Sequence, residues 1–348
     1  MRKLQIGRHE VGDDTGAYVI AEIGHNHGGS LLRAEEMFRQ AAAAGAHAVK
    51  LQKRENETLY TKEMYNRPYH GPNSYGRTYG EHRRALEFGA VEYAHLVQVA
   101  KELDIDFFCT AFDAPSVDFV VDMGLPAIKI ASGDLTNTPL LEYAAKTGKP
   151  VIMSTGGGDR DDVRRACDVV LSRTPQLALL QCTAVYPASP GDLNLAVISA
   201  YRDEYPDVVV GFSGHDLGPE LSWVAYAMGA RVIEKHFTLD KNQPGSDHHF
   251  SLDPAELTTL VRGLERTHQA IGSPVKRRTA NEAPAVAKMG KMLVAARDLP
   301  RGHVLTPDDI TCKSPGNGLP PYLLNELLGR RTTAAMREDD PFDTTCLA

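Results

Sequence analysis

The sequence predicts an α/β protein, a closed (β/α)8 barrel followed by a small β-rich C-terminal domain. Three observations carry this expectation. Short apolar, β-branched runs alternate with amphipathic Ala-, Leu- and Glu-rich stretches over the first three-quarters of the chain. About eight such runs occur, each continuously hydrophobic, as strands covered on both faces require. Composition then shifts after Gly272, beyond which strand-like pieces are short and punctuated by Pro and Gly.

In chain order, the first run is Tyr18–Gly24 (YVIAEIG), followed by a helical segment over Ser30–Ala44. The second is His47–Gln52 (HAVKLQ) and the third Asp106–Thr110 (DFFCT). The gap between them is about twice the usual spacing, and its excess, Asn66–Glu87, is rich in Tyr, Gly, Pro, Asn and Arg. That composition reads as an ordered lid or binding loop. Pro126–Ser132 (PAIKIAS), Pro150–Thr155 (PVIMST) and Leu177–Thr183 (LALLQCT) follow, with a helix over Asp159–Leu171. Val208–Ser213 (VVVGFS) and Arg231–Phe237 (RVIEKHF) complete the set. Repetition of this length favours a closed barrel over an open sheet. The expected organisation is therefore a barrel over residues 1–272, a linker over 273–290 without sustained periodicity, and a small domain over 291–348.

Composition excludes several classes. With 42% hydrophobic and 24% charged residues in 348, the chain has ample material for a large core. A net charge of −7 provides no global positive field for nucleic acid or acidic lipid, so neither is an expected partner. No apolar run approaches the ~20 residues that cross a bilayer. The N-terminus, Met1 to Arg8, lacks an apolar signal region. Five scattered cysteines form neither a disulfide framework nor a CxxC clip, so a reduced, cytoplasmic protein is expected.

Catalytic groups of a barrel gather at the C-terminal ends of its strands. Here those ends carry Glu22, Lys50 with Gln52, Thr110, Lys129 with Ser132, Ser154 with Thr155, Thr183, Ser213 with His215, and Glu234 with His236. Two lysines inside otherwise apolar strands are costly to bury without an anionic partner. With the surrounding hydroxyls they suggest a phosphate or carboxylate site. The turn Ser154-Thr155-Gly156-Gly157-Gly158 adds backbone N–H groups. A Schiff base on Lys129 is the competing use. His215 and His236 end consecutive strands, and two imidazoles leave open positions on a divalent metal. His248 and His249, beside Asp247, compete for that role. Glu22 and Asp134 are carboxylates placed for proton transfer or for holding hydroxyls.

Taken together, AEIGHNHGG, VKLQ, IKIASGD, STGGG, QCTAVYP, GFSGHDLG, EKHFTLDKNQPGSDH and SPGNG resemble the sialic acid synthases of the N-acetylneuraminate synthase type, in family order over nearly the whole chain. The resemblance implies a TIM barrel joined to an antifreeze-like (SAF) domain, in a domain-swapped homodimer whose SAF domains cover the partner's barrel mouth. It implies condensation of phosphoenolpyruvate with the open-chain aldehyde of N-acetylmannosamine or a relative, with a divalent metal, Mn2+ or Mg2+. Related synthases take 6-phosphorylated or diamino sugars. Position by position, it makes His215 and His236 metal ligands, and Lys50, Thr110, Lys129, Ser132, Ser154 and Ser213 the phosphoenolpyruvate site. It places Glu22, Gln52, Asn73, Tyr186 and Asp247 on the sugar and Asp134 on the water proton.

Two positions depart from the bacterial pattern: Ser314 replaces an arginine before PGNG, and Ala184 replaces a polar residue. The segment Arg67–Phe88 looks like the animal type, in which Arg67, Arg77, His82 and Arg83 offer charge for a sugar phosphate. Outside this class, the residues leave a Schiff-base aldolase and a non-catalytic sugar-binding protein as rival readings.

Overall fold

A computed structural model describes residues 2–343 and 345–348. The chain divides into two compact units, Met1–Gly272 and Ser273–Ala348.

The first unit opens with a hairpin, β1 (Lys3–Ile6) and β2 (His9–Gly12), paired antiparallel. Eight parallel strands follow: β3 (Tyr18–Gly24), β4 (Ala48–Lys53), β5 (Asp106–Ala111), β6 (Ile128–Ile130), β7 (Val151–Ser154), β8 (Leu177–Cys182), β9 (Val209–Gly214) and β10 (Val232–His236). Pairing of β10 with β3 closes the barrel. Each strand falls on an apolar run of the sequence, and the (β/α)8 barrel expected there is the architecture found.

The helices start where polar caps lie. Ser30 accepts from the Arg33 N–H ahead of Leu31–Ala43, and Asp253 accepts from the Glu256 N–H ahead of Pro254–Ile271. Their apolar faces cover the strands. The helix Leu31–Ala43, for example, buries Ala34, Met37, Phe38 and Ala41 in the core that also holds Ile20, Val49 and Phe107.

The hairpin was not among the expected strands. Its Leu4, Ile6 and Val11 join the barrel core. His9 Nδ1 and the Tyr18 hydroxyl both reach Asp106 Oδ2, at 2.9 and 2.7 Å. Tyr18 and Asp106 begin β3 and β5, so this cluster sits at the end of the barrel opposite the strand C-termini.

Register places the polar strand ends side by side. Lys50 pairs with Glu22, Thr110 with Lys129, Ser213 with Glu234, and His236 with Glu22. Gly24 ends β3 at φ +54°, a left-handed conformation that glycine tolerates. A Cβ there would come within 3.3 Å of both Gln52 Nε2 and Glu22 Oε1.

The second unit carries β11 (Met292–Ala295) and β12 (Ile310–Lys313), antiparallel. Isolated bridges Val294–Pro341, Leu299–Met336, Val304–Arg331 and Thr332–Leu347 extend this β-rich arrangement. It has its own small core, including Leu293, Leu305, Ile310, Met336 and Phe342. Within the segment expected to be an aperiodic linker, Ala283–Met289 is helical, too short a stretch for periodicity to register. Buried Asp309 organises this unit, accepting from the Thr306 hydroxyl (2.7 Å) and from Arg297 (2.7 Å), with His303 Nε2 at 2.9 Å. Among the described residues no helix is long and apolar enough to cross a membrane.

Candidate active site

The C-terminal strand ends enclose a cavity of about 640 Å³. Its wall includes Glu22, Lys50, Gln52, Thr110, Lys129, Ser132, Ser154, Tyr186, Ser213, His215, His236 and Asp247. These are all but two of the residues that the resemblance assigns to the site. The others lie beside it. Asp134 follows Ser132 in a short 3-10 turn and accepts from Asn137 Nδ2 at 3.0 Å. Asn73 Oδ1 accepts from the Gly245 N–H at 2.9 Å, in a small adjoining cavity.

At the bottom of the main cavity four buried charges interlock. Lys50 Nζ lies 2.5 Å from Glu22 Oε2 and 3.7 Å from Glu234 Oε2. Lys129 Nζ lies 3.8 Å from Glu234 Oε1. Lys50 also donates to Thr110 Oγ1 at 2.8 Å, Lys129 to Ser154 Oγ at 2.6 Å, and Ser213 to Glu234 at 3.0 Å. Sequence reasoning sought an external anion as counter-charge for the lysines. The structure supplies two carboxylates from the chain itself. Glu234 was visible as a strand end, and a period of two from His236 puts both residues on the same face of β10.

Environment separates the four. Burial, partly offset by Lys50, raises the Glu22 carboxyl above its usual range. Lys129 and Lys50 outweigh burial at Glu234 and hold it below. Lys50 is raised, its carboxylates prevailing over burial, whereas burial lowers Lys129. Glu22 thus keeps a proton most easily among the carboxyls, and Lys129 releases one most easily among the amines.

The two imidazoles stand together, ring centroids 5.5 Å apart, with Phe250 against both. His215 Nδ1 is 2.8 Å from the Thr183 carbonyl oxygen, to which it donates, leaving Nε2 with the lone pair. Burial, together with His236, lowers His215 to about 4, and burial lowers His236 as well, so both rings are neutral. His236 Nδ1 is buried without a hydrogen-bond partner, 3.9 Å from Asp247 Oδ2. A pair of neutral imidazoles, one fixed by an outer carbonyl and one with an orphaned nitrogen, fits a divalent metal. Among the described residues no group of three or more His, Cys, Asp or Glu side chains is arranged to hold an ion. The competitors are elsewhere: His248 Nδ1 is 2.7 Å from the Thr238 hydroxyl, and His249 is exposed.

The segment Arg67–Phe88 is ordered, with helix Tyr79–Ala85 and the bridge Pro68–Thr78. Its Tyr75 hydroxyl donates to the Pro244 carbonyl at 3.1 Å, docking it on the loop after β10. Of its charge candidates, Arg83 lines the main cavity, His82 the small adjoining one, and Arg67 and Arg77 are exposed. Arg54 and His25 also line the main cavity. They lie just past strand ends on loops whose course the sequence did not show. In the second unit, Ser314 accepts from Lys291 Nζ at 2.8 Å, which sets an exposed cation beside it.

Residues 37–276 match the NeuB family, and residues 290–348 match the SAF domain. The chain is 40% identical to the N-acetylneuraminate-9-phosphate synthase of Homo sapiens over 331 residues, 95% of this chain and 92% of that one. It is 37% identical to the N,N'-diacetyllegionaminic acid synthase of Legionella pneumophila, over 92% of this chain and 91% of that one. The crystal structure of N-acetylneuraminic acid synthetase from Leptospira borgpetersenii superposes with a TM-score of 0.72 at 32% identity, covering 82% of this chain and 95% of that one. On these matches and the barrel that carries the site, the chain belongs to the NeuB family and ends in a SAF domain.

Proposed function

We propose that this chain is a sialic-acid-type synthase, condensing phosphoenolpyruvate with the open-chain aldehyde of N-acetylmannosamine or a related hexosamine to give a nonulosonate and phosphate. One observation carries the reading: the paired lysines with their hydroxyls and the paired imidazoles open into the same cavity. Relatives that make nine-carbon acids support it.

The enol phosphate lies against Lys50, Lys129, Thr110, Ser132, Ser154 and Ser213, where ammonium and hydroxyl groups meet phosphate and carboxylate oxygens. Ser132 is held for this by the Gly156 N–H, 2.9 Å from its Oγ. Glu22, Gln52, Tyr186 and Asp247 face the sugar. The methylene carbon of the enol attacks the aldehyde carbon, forming the C–C bond and leaving an alkoxide and an oxocarbenium centre. Glu22, with its raised carboxyl, donates the proton that the alkoxide takes. Water adds to the oxocarbenium carbon and releases a proton that restores the carboxyl. The tetrahedral centre then passes its hydroxyl proton to the departing phosphate, which leaves with the C–O bonding pair, and the keto group remains. Asp134, which follows Ser132 beside this wall and whose carboxyl burial raises, is the residue proposed to relay the water proton to Glu22. His215 and His236 would hold a divalent metal, Mn2+ or Mg2+, which as a Lewis acid polarises the sugar carbonyl.

A homodimer, with each SAF domain over the partner's mouth, accords with the exposed ring of Tyr186 (53%) in the cavity wall. The test is phosphate release from phosphoenolpyruvate across a panel of hexosamines with Mn2+ present. Sugar-dependent release is expected, and failure of every aldose in the panel to give release would refute the reading. The lowered ammonium of Lys129 favours one alternative, a Schiff-base aldolase. Borohydride trapping of pyruvate on Lys129 without phosphoenolpyruvate turnover would establish that instead.

A further inference from the structure

The two imidazoles in the cavity wall come from neighbouring strands, yet the ladder between those strands stops short of both. β9 and β10 pair from Gly211 with Val232 to Gly214 with Lys235, so His215 lies past the end of β9 and His236 past the last pair. From there the backbone ties each imidazole to a different neighbour. The His215 carbonyl accepts from the Ala188 N–H at 3.1 Å, and its ring donates to the Thr183 carbonyl at 2.8 Å, both on the β8 side. His236 pairs with Glu22 of β3, on the other side, and its carbonyl accepts from the Leu252 N–H at 2.7 Å.

One contact spans the gap. Side chains alternate along a strand, so Lys235 projects to the side of β10 opposite Glu234 and His236, away from the cavity. There, 1% exposed, its ammonium donates to Asp216 Oδ1 at 2.9 Å and to the Asp216 carbonyl at 2.5 Å. Asp216 is also buried and directly follows His215, just as Lys235 directly precedes His236. Beyond the last ladder pair this is the one polar link between the two segments among the described residues. A Cβ at Gly214 would fall 2.6 Å from Asp216 Oδ1, so glycine leaves room for the carboxylate to turn back over the strand end.

Stability alone does not account for the pair. A buried ion pair gains little over apolar side chains of the same size, and here Asp216 Oδ2 is left without a hydrogen-bond partner. What the pair does supply is a fixed spacing. One ammonium grips both the backbone and the side chain of Asp216, so the segment carrying His215 cannot slide or turn without the segment carrying His236. A binding constellation has to be held within about 0.5 Å, which strand ends past their last ladder pair do not ensure by themselves. We propose that Lys235 and Asp216 are positioning residues, a brace behind the strands that holds His215 and His236 at the separation a divalent metal needs. The proposal rests on the reading of these imidazoles as metal ligands and adds the residues that set their spacing.

The experiment compares the full-length protein with K235M, K235R and the double variant K235M/D216N. Calorimetry measures the affinities for Mn2+ and, without metal, for phosphoenolpyruvate, and thermal unfolding of the metal-free chain reports the fold. K235M strands the Asp216 carboxylate and is expected to lower Tm. K235M/D216N buries no charge at this point and is expected to fold even where K235M does not. In the double variant Mn2+ affinity is expected to fall about 10–100-fold, the loss that follows removal of an outer partner from a metal site. Affinity for phosphoenolpyruvate is expected to remain that of the wild type, because the lysine pair and its hydroxyls are untouched. K235R keeps a donor for Asp216 and is expected to recover most of the Mn2+ affinity. Wild-type Mn2+ affinity in the double variant would overturn the proposal. So would equal losses for Mn2+ and phosphoenolpyruvate, the mark of general loosening. Mn2+ affinity that His215→Gln and His236→Gln also leave unchanged would refute the metal reading, and the proposal with it.

Discussion

Glu234→Gln isolates the charge at the centre of the cavity. Glutamine matches the carboxylate in size and still accepts from Ser213, so no void opens and one hydrogen bond survives. What disappears is the negative charge 3.7 Å from Lys50 and 3.8 Å from Lys129. Lys50 keeps Glu22 at 2.5 Å, but Lys129 is left with Ser154 Oγ and the Ile130 carbonyl. Stranding one charge of a buried pair costs about 3–5 kcal/mol. Part is recovered because burial already disposes Lys129 to lose its proton, which leaves a net loss of about 2–4 kcal/mol. For a unit of this size that is roughly 5–15 °C in Tm. The sign with pH follows from Lys129. Its folded value is lowered, so between that value and the ordinary lysine value the unfolded chain binds more protons and stability rises with pH. The deficit of the variant is therefore greatest near neutral pH; it shrinks as pH rises through that window, and it fades in acid as the wild-type Glu234 is protonated through its lowered folded value. Phosphoenolpyruvate restores negative charge beside Lys129, so saturating ligand should raise Tm more in the variant than in the wild type. Thermal unfolding with and without phosphoenolpyruvate, over a pH series, checks this. A Tm within about 2 °C of wild type and an equal ligand shift would refute the four-charge account.

Other expectations follow from the same geometry. His215→Gln or His236→Gln should weaken Mn2+ binding, followed by calorimetry, by more than the roughly 10–100-fold that loss of an outer partner costs; unchanged affinity in both would dismiss the imidazole pair. Lys129→Met should raise KM for phosphoenolpyruvate about 10–100-fold, and an unaltered KM would remove it from the anion site. Asp309→Asn should destabilise the C-terminal unit by about 2–3 kcal/mol, seen as faster hydrogen exchange over residues 291–348 of the intact chain. Hydrogen bonds from Thr306, His303 and Arg297 lower the folded Asp309 carboxyl despite burial. Its contribution is thus present above the unfolded carboxyl value and lost as pH falls through the folded one. The difference between wild type and variant should fade in acid; a difference that persists there would contradict the ionised role of Asp309.

The barrel was legible because strands covered on both faces write themselves as unbroken apolar runs, from YVIAEIG to RVIEKHF. The hairpin escaped because Lys3–Ile6 and His9–Gly12 each bury only two residues, too few for a pattern. The strand-end chemistry was legible by position, since polar residues closing apolar strands of a barrel share one rim. Which charge meets which was not. The contacts of Lys50 with Glu22 and of Lys129 with Glu234 depend on strand register and barrel closure, and the latter pair lies more than a hundred positions apart in the chain. Arg54 and His25 lie on loops past two strand ends and Arg83 on the helix Tyr79–Ala85, and their convergence depends on how the segment after β4 folds back. That course is set by contacts such as Lys53 with Glu87, which have no local signature.

The most direct test of the central claim uses phosphoenolpyruvate carrying 18O in the oxygen that bridges C2 and phosphorus, incubated with the protein, Mn2+ and the preferred hexosamine. Mass spectrometry of the products follows the label. Sugar-dependent release of phosphate bearing the 18O is the expected result, because C–O cleavage sends the bridging oxygen out with phosphorus. Unlabelled phosphate with 18O retained in the keto acid, or no sugar-dependent release at all, would contradict the account.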